Sequence, residues 1–300
     1  MPITRMSGEI PRILSGRRCL SIHSVFESAV NLRAGPRLIN CSTGVISVPN
    51  GIEMTPADLR RLQRLRTTPH EVLEWCPVDR AFTSRTGNVV IASTPRTVVF
   101  DTALPTASGG DLHVSADGLI AHLARARAHT GLGQDWFALT NDPTLIDAVA
   151  SLRGGRVDEA VIRWLGRGRG LTPSGDDVLV GMLTALQFSG AVDSSSLVRL
   201  RAFLEVAARR LTTDVSAEYL HYACRGMASG MVRELLVALD RSNAVATLDA
   251  VDRLSRYGHT SGMDCVLGVV LGLTETRAAG AGAGTSSALH VVEEAGTGVR

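Results

Sequence analysis

The sequence predicts an α+β protein in which an N-terminal, mainly-β, barrel-like domain with a helical insertion precedes a C-terminal α-helical bundle. Three observations lead there. From Arg18 to about Thr106, short β-branched runs are bounded by Gly, Pro, Asn or Ser. After Pro105 the composition shifts to helix formers. Within that second half, a glycine-marked turn opening an almost wholly apolar helix occurs twice, at Ser174 and at Ser261. The expected division is a β domain over residues 1–106, a helical domain over 107–277 and a low-complexity tail over 278–300.

Five segments of the first half read as strands: Cys19 to Phe26, Arg37 to Cys41, Gly44 to Val48, Asn88 to Ala92 and Arg96 to Phe100. The insertion is a helix, since Thr55 precedes Pro56 as an N-cap precedes a first-turn proline, and Leu59, Leu62 and Leu65 recur at helical spacing. In the second half, Ser115 to Gly118 reads as a helix start, Asn141-Asp142-Pro143 as another, and Val157 to Leu165 as a third helix. Apolar periodicity then predicts helices near Leu197 to Leu211, Ala217 to Met227, Met231 to Leu239, Val245 to Leu254 and Cys265 to Leu273. The Ala/Gly-rich stretch from Ala278 predicts disorder, with Leu289 to Val292 the one strand-like run in it.

Composition narrows the function. The 300 residues are 45% hydrophobic and 20% charged, with a formal net charge of +2, which gives no basis for a polyanion-binding surface. All 31 basic residues are arginine. Without lysine there is neither a P-loop nor a pyridoxal phosphate Schiff base, and no cofactor is expected. The five cysteines are odd in number and lack C-x-x-C spacing, and the histidines form no cluster with Cys, Asp or Glu, so no disulfide framework and no metal site is expected. Charges at Arg5, Glu9 and Arg12 interrupt any secretory h-region, and no apolar run would span a bilayer; the expected location is the cytoplasm, with no membrane or nucleic-acid partner.

Chemistry concentrates in Gly166 to Asp177, a loop of single glycines and arginines that ends at a helix start. With Ser174 as N-cap, Asp177 falls at N3 and the two form a capping box. Gly258 to Asp264 repeats this arrangement, with Ser261 and Asp264 as the pair and Gly268 where the first copy has Gly181. The repeat is Ser-Gly-x-Asp-x-x-x-Gly. Two boxes are a sufficient structural account of Ser174, Asp177, Ser261 and Asp264. The same four residues, with Gly175, Gly262 and Thr172, would also present backbone N–H groups and helix dipoles to one small anion if the helix starts converge.

Arg167 and Arg169 are solvated loop residues on one reading and a guanidinium clamp for that anion on the other. Asp176, surplus to the box, is either an exposed first-turn acid or a group that orients the ligand or takes its proton. His259 occupies the second turn where Thr172 occupies the first, and is either a surface histidine or a proton carrier. Thr213 heads a third polar helix start and either caps it or forms another wall of the site.

Gly170 to Asp177 with Leu179 to Gly181, and Gly258 to Asp264, resemble the signature stretches of a family that includes the AllH-type subunit of bacterial oxamate carbamoyltransferase. Thr212 to Ala217 with Tyr219 and Leu220 is similar to a third stretch, and the N-terminal half, including Ser24 to Phe26 and the segment around Leu38 to Pro49, is similar in outline. The resemblance implies a multi-subunit carbamoyltransferase of allantoin and purine catabolism that converts oxalurate and phosphate into oxamate and carbamoyl phosphate. Its expected ligands are small anions such as phosphate, carbamoyl phosphate or a ureido acid, and its expected partners are other protein subunits. A non-catalytic metabolite-binding or scaffolding subunit is the alternative.

Overall fold

The computed structural model describes residues 1–280 apart from 17, 18, 45, 66–71, 86, 88 and 89. The N-terminal half contains strands β1 (Arg5–Ser7), β2 (Cys19–Val25), β3 (Ala29–Ala34), β4 (Arg37–Ser42), β5 (Gly51–Glu53), β6 (Val72–Cys76), β7 (Ala81–Ser84), β8 (Val90–Ala92) and β9 (Val98–Phe100), with helices α1 (Ile10–Leu14) and α2 (Pro56–Arg64). They form one sheet in the order β8-β7-β6-β2-β3-β4-β5-β1-β9. It is antiparallel except where β4 meets β5 and β1 meets β9. The sheet curls into a half-barrel. Curling brings the residues ahead of β1 to its far edge, where Pro2 bridges Ala92 and the Ile3 N–H donates to the Ala92 carbonyl at 2.9 Å.

Thr55 caps α2 as its sequence predicts, accepting from the Asp58 N–H at 3.2 Å. The strand expected at Gly44 to Val48 is a correction. Among its described residues there is no ladder, because Ser47 takes a left-handed φ of 51° and the carbonyls of Ile46 and Ser47 instead accept from the Gly230 N–H. The ladder resumes at β5, beyond Pro49. Strands β1, β3, β5, β6 and β7 were not predicted; they carry mixed or polar residues, and pairing with neighbours rather than local preference makes them strands. Asn88 and Val89 of the expected strand before Ala92, and the tail from residue 281, lie outside the described residues.

The helical half comprises α3 (Leu112–Arg125), α4 (Trp136–Thr140), α5 (Pro143–Arg153), α6 (Glu159–Ile162), α7 (Ser174–Phe188) and α8 (Ser194–Phe203), then a π-helical turn over Leu204–Ala208 leading to α9 (Arg209–Leu211). After it come α10 (Asp214–Ala223), α11 (Gly230–Asp240), α12 (Ala244–Ser255) and α13 (Ser261–Gly280). The helix expected from Ser115 begins earlier, at Leu112, because Asp111 supplies the cap by accepting from the Val114 N–H at 3.0 Å. Helix α13 continues to Gly280, past Ala278, where the tail was expected to begin.

Two hydrophobic cores result. One runs from Ile3 to Ile91 and takes in Tyr222 from α10; the other runs from Leu112 to Leu273 around α7 and α13. Helix α7 is buried on nearly every side, the expected condition of a central helix. It packs against α13 in parallel and in register. A Cβ on Gly181 would stand 2.2 Å from the Cys265 carbonyl oxygen, and one on Gly268 would stand 2.0 Å from that of Val178, so both glycines are required by the approach of the two backbones.

Candidate functional site

Parallel packing sets the two Ser-Gly-x-Asp turns side by side. The Thr172 and Ser261 hydroxyls are 2.7 Å apart, which joins the first loop to the second helix start. The expected capping boxes do not form within each turn. Pro173, not Ser174, is the N-cap of α7 and provides no side-chain bond; its carbonyl accepts from the N–H groups of Asp176 and Asp177. Each acid instead faces one hydroxyl from its own turn and one from the other, Thr172 and Ser261 at the Asp177 carboxylate and Thr260 and Ser174 at that of Asp264. Asp264 also accepts from the Gly131 N–H at 2.8 Å.

This exchange consumes donors that the anion reading needs. The Gly175 N–H donates to the Arg167 carbonyl at 2.8 Å, and the Gly262 N–H to the Tyr257 carbonyl at 3.2 Å. A Cβ on Gly175 would lie 2.1 Å from the Trp164 carbonyl oxygen, so that glycine admits the loop onto the helix start rather than a ligand. The positive dipole ends of α7 and α13 face carboxylates of their own chain.

Asp176 is 1% exposed. Its Oδ1 accepts from the Gly166 N–H at 2.8 Å and its Oδ2 from the Thr212 hydroxyl, so it ties the glycine loop to the start of α10. Burial raises its pKa, against the opposing hydrogen bonds from Gly166, Thr212 and Ser216. Thr213 does two jobs, capping α10 by accepting from the Ser216 N–H at 3.1 Å and donating to the Leu171 carbonyl.

Asp177 differs from Asp176. It is 8% exposed, and its Oδ2 is buried with no hydrogen-bond partner. Burial pushes its pKa well up, and Asp264 and Asp176 add to the rise against the Ser261 and Thr172 hydroxyls. Asp264 shifts upward too, chiefly through burial. Among the described residues no group of three or more His, Cys, Asp or Glu side chains is arranged to hold a metal ion.

The loop arginines are exposed. Arg167 lies over the Trp164 ring, 4.3 Å from its centroid, whereas Arg169 projects from the loop between Gly168 and Gly170, both at positive φ. His259 is exposed on the turn before Ser261. The structure therefore brings together Thr172, Ser174, Asp177, Ser261 and Asp264, sets Asp176 and Thr213 on the α10 side of the same loop, and leaves Arg167, Arg169 and His259 at the surface.

Sequence reasoning missed the other wall. Asp177 and Ser261 line a cavity of about 70 Å³ together with Tyr219, Tyr257 and, from the β half, Val48 and Pro49. The Tyr219 and Tyr257 hydroxyls are 3.5 Å apart. Tyr219 lay within a stretch already singled out, but nothing local marks Tyr257 as its neighbour. Beside the cavity, α10 is fastened to the sheet by Arg37 to Glu218 at 2.6 Å and by Arg33 and His23 to Asp214, while Arg209 of α9 reaches both acids from the helical side.

Residues 164–273 match the sequence model of a family described as oxamate carbamoyltransferase subunit AllH. The match takes in both Ser-Gly-x-Asp turns, Tyr219 and Tyr257; the β half lies outside it. No solved structure matches the chain. No helix among the described residues is long and apolar enough to cross a membrane.

Proposed function

We propose that this chain, whose residues 164–273 belong to the AllH family, is a subunit of a carbamoyltransferase of the oxamate type, acting on oxalurate or a related ureido acid with phosphate. The observation that carries the reading is the cross-paired turn structure at the starts of α7 and α13, which coincides with the matched segment. Such a turn pair offers a rigid frame for a small polar substrate, and rigid placement of the reactants is one of the demands of group transfer.

Within this reading the charge of the substrate is met at the rim. Arg169 is exposed and stands three positions before Thr172, whose hydroxyl touches Ser261 at the cavity wall. It is the guanidinium free to meet a carboxylate or phosphate bidentately, while Arg167 divides its role with Trp164. Asp176 serves by fixing the loop. His259, exposed on the turn before α13, would be the group that moves a proton.

That placement also favours a second reading, a metabolite-binding or scaffolding subunit whose catalytic groups come from a partner chain. Assays of phosphate-dependent oxalurate cleavage by the chain alone and by the chain assembled with the products of its neighbouring genes separate the two. The expected result is carbamoyl phosphate from the assembly only, with Arg169→Ala lowering kcat/KM about tenfold, as for loss of one charge-assisted contact. Inactivity of every assembly on ureido compounds would remove the reaction class. An unchanged rate in Arg169→Ala would remove the anion assignment.

A further inference from the structure

We propose that the cavity between the two cores is a binding site for a primary amide, –CO–NH₂, with Asp177 accepting from the NH₂ group and Tyr219 and Tyr257 donating to the carbonyl oxygen. The inference rests on the ureido-substrate reading above and assigns one end of that substrate.

Size is the first argument. At roughly 10–15 Å³ of such space per water, a cavity of about 70 Å³ holds about five waters, enough for an amide and the atoms next to it but not for a nucleotide or a sugar. Val48, Pro49, Val180 and Leu254 form its apolar wall, and Asp177, Tyr219, Tyr222, Tyr257, Ser229 and Ser261 its polar one.

Among these, Asp177 and the pair Tyr219 and Tyr257 form a matched set. Asp177 Oδ2 is buried without a hydrogen-bond partner, a state that a ligand N–H would relieve. The tyrosine hydroxyls stand 3.5 Å apart, too far for a firm bond to each other, which leaves both O–H groups free to turn to a ligand acceptor. Burial raises both tyrosine pKa values, and Asp177 adds to each rise, so the hydroxyls remain protonated. Cys265, also on the wall, has its thiol pushed up by burial and is no nucleophile.

An amide offers two N–H donors on one side and a carbonyl acceptor on the other. A carboxylate at the same place brings no N–H to Asp177 Oδ2 and would add another acid to the cluster of Asp176, Asp177 and Asp264. An ammonium group would satisfy Asp177 but leave the phenols without an acceptor. The geometry therefore selects the carbamoyl end of a ureido acid and turns its carboxylate outward.

The test is calorimetric titration of the full chain with oxamate, which carries an amide, and with oxalate, which replaces that amide by a carboxylate. Oxamate is expected to bind and oxalate to bind at least about tenfold more weakly. In Tyr219→Phe and Tyr257→Phe, oxamate affinity is expected to fall about tenfold with the melting temperature kept, the effect of one buried hydrogen bond. Asp177→Asn belongs in the series, and Ala228→Leu, which fills the cavity from another wall, covers the case in which the Asp177 variant does not fold. Equal binding of oxalate, no binding of oxamate by folded protein, or unchanged affinity in the folded phenylalanine and leucine variants would overturn the proposal. The two readings fail differently. If only the reaction class is wrong, oxamate still binds while every assembly is inactive; if only the cavity is wrong, the assembly is active with a KM for oxalurate that the Tyr219→Phe and Tyr257→Phe changes leave alone.

Discussion

Burial of Asp177 makes acidity a stability variable for this protein. Its folded-state pKa is raised by desolvation and by Asp264 and Asp176, while in the unfolded chain it returns to about 3.9. The folded state thus holds the proton more tightly, and the stability this contributes is fully present below the unfolded value and lost as pH rises through the folded one. Asp176 and Asp264 shift the same way and add to the trend. Denaturant unfolding across acidic to neutral pH is expected to show Asp177→Asn declining less steeply than the parent chain; parallel curves would contradict the assignment. His221 works in the opposite direction. Burial, helped by Arg37, Arg225, Arg209 and Arg201, lowers its pKa to about 3, so its contribution is present above about 6.5 and lost as pH falls toward that lower value. His221→Gln is expected to flatten the acid limb. The two loop arginines should also separate: Arg167→Ala is expected to cost about 1 kcal/mol through loss of the Trp164 contact, and Arg169→Ala to leave unfolding unchanged while weakening substrate binding.

At the scale of elements, the pair α7 and α13 depends on two missing side chains. Gly181→Ala or Gly268→Ala would drive a methyl into the facing backbone, and either is expected to destabilise by about 3 kcal/mol, a fall in Tm on the order of 5–10 °C. A Tm within a degree or so of the parent would mean that the helices separate at little cost. The repeat was legible in the sequence because glycine recurs at one offset after each Ser-Gly-x-Asp. The cross-pairing of Ser174 with Asp264 and Ser261 with Asp177 was not, since a Ser-x-x-Asp turn reads locally as a closed box whichever carboxylate its serine reaches. The same locality explains the strands. β2, with Ile22 and Val25, and β4, with Leu38 and Ile39 after Pro36, stand out locally, while β3 and β6 become strands by adding to β2 on either side. Tyr257 was silent for a related reason, since it sits between two helices and gains its meaning only from Tyr219.

For the whole molecule, the two cores meet through α10. Glu218 is 1% exposed and depends on Arg37 from β4 and Arg209 from its own half. Arg37→Ala would strip the nearer cation from a buried carboxylate, and an expected loss of about 3 kcal/mol follows. Replacing both residues by methionine is expected to cost less than the single change, and a double-mutant cycle in urea would show it; a larger loss in the double variant would mean that the pair is a net source of stability. Because Thr212 and Thr213 lead into α10 and are tied to Asp176 and the Leu171 carbonyl, loosening this joint should reach the glycine loop. Weaker oxamate binding by folded Arg37→Ala would report it.

The mutual bracing of the two turns also bears on how the chain is made. Helix α7 leaves the ribosome long before α13 exists, and it is apolar on nearly every side with its buried carboxylates awaiting hydroxyls from a later segment. Closing that long interval is slow compared with forming either helix, so the nascent chain passes through a period with an unsatisfied, sticky core helix. Synthesis is therefore the stage at which this protein is most exposed to aggregation, and chaperone dependence should end when α13 arrives.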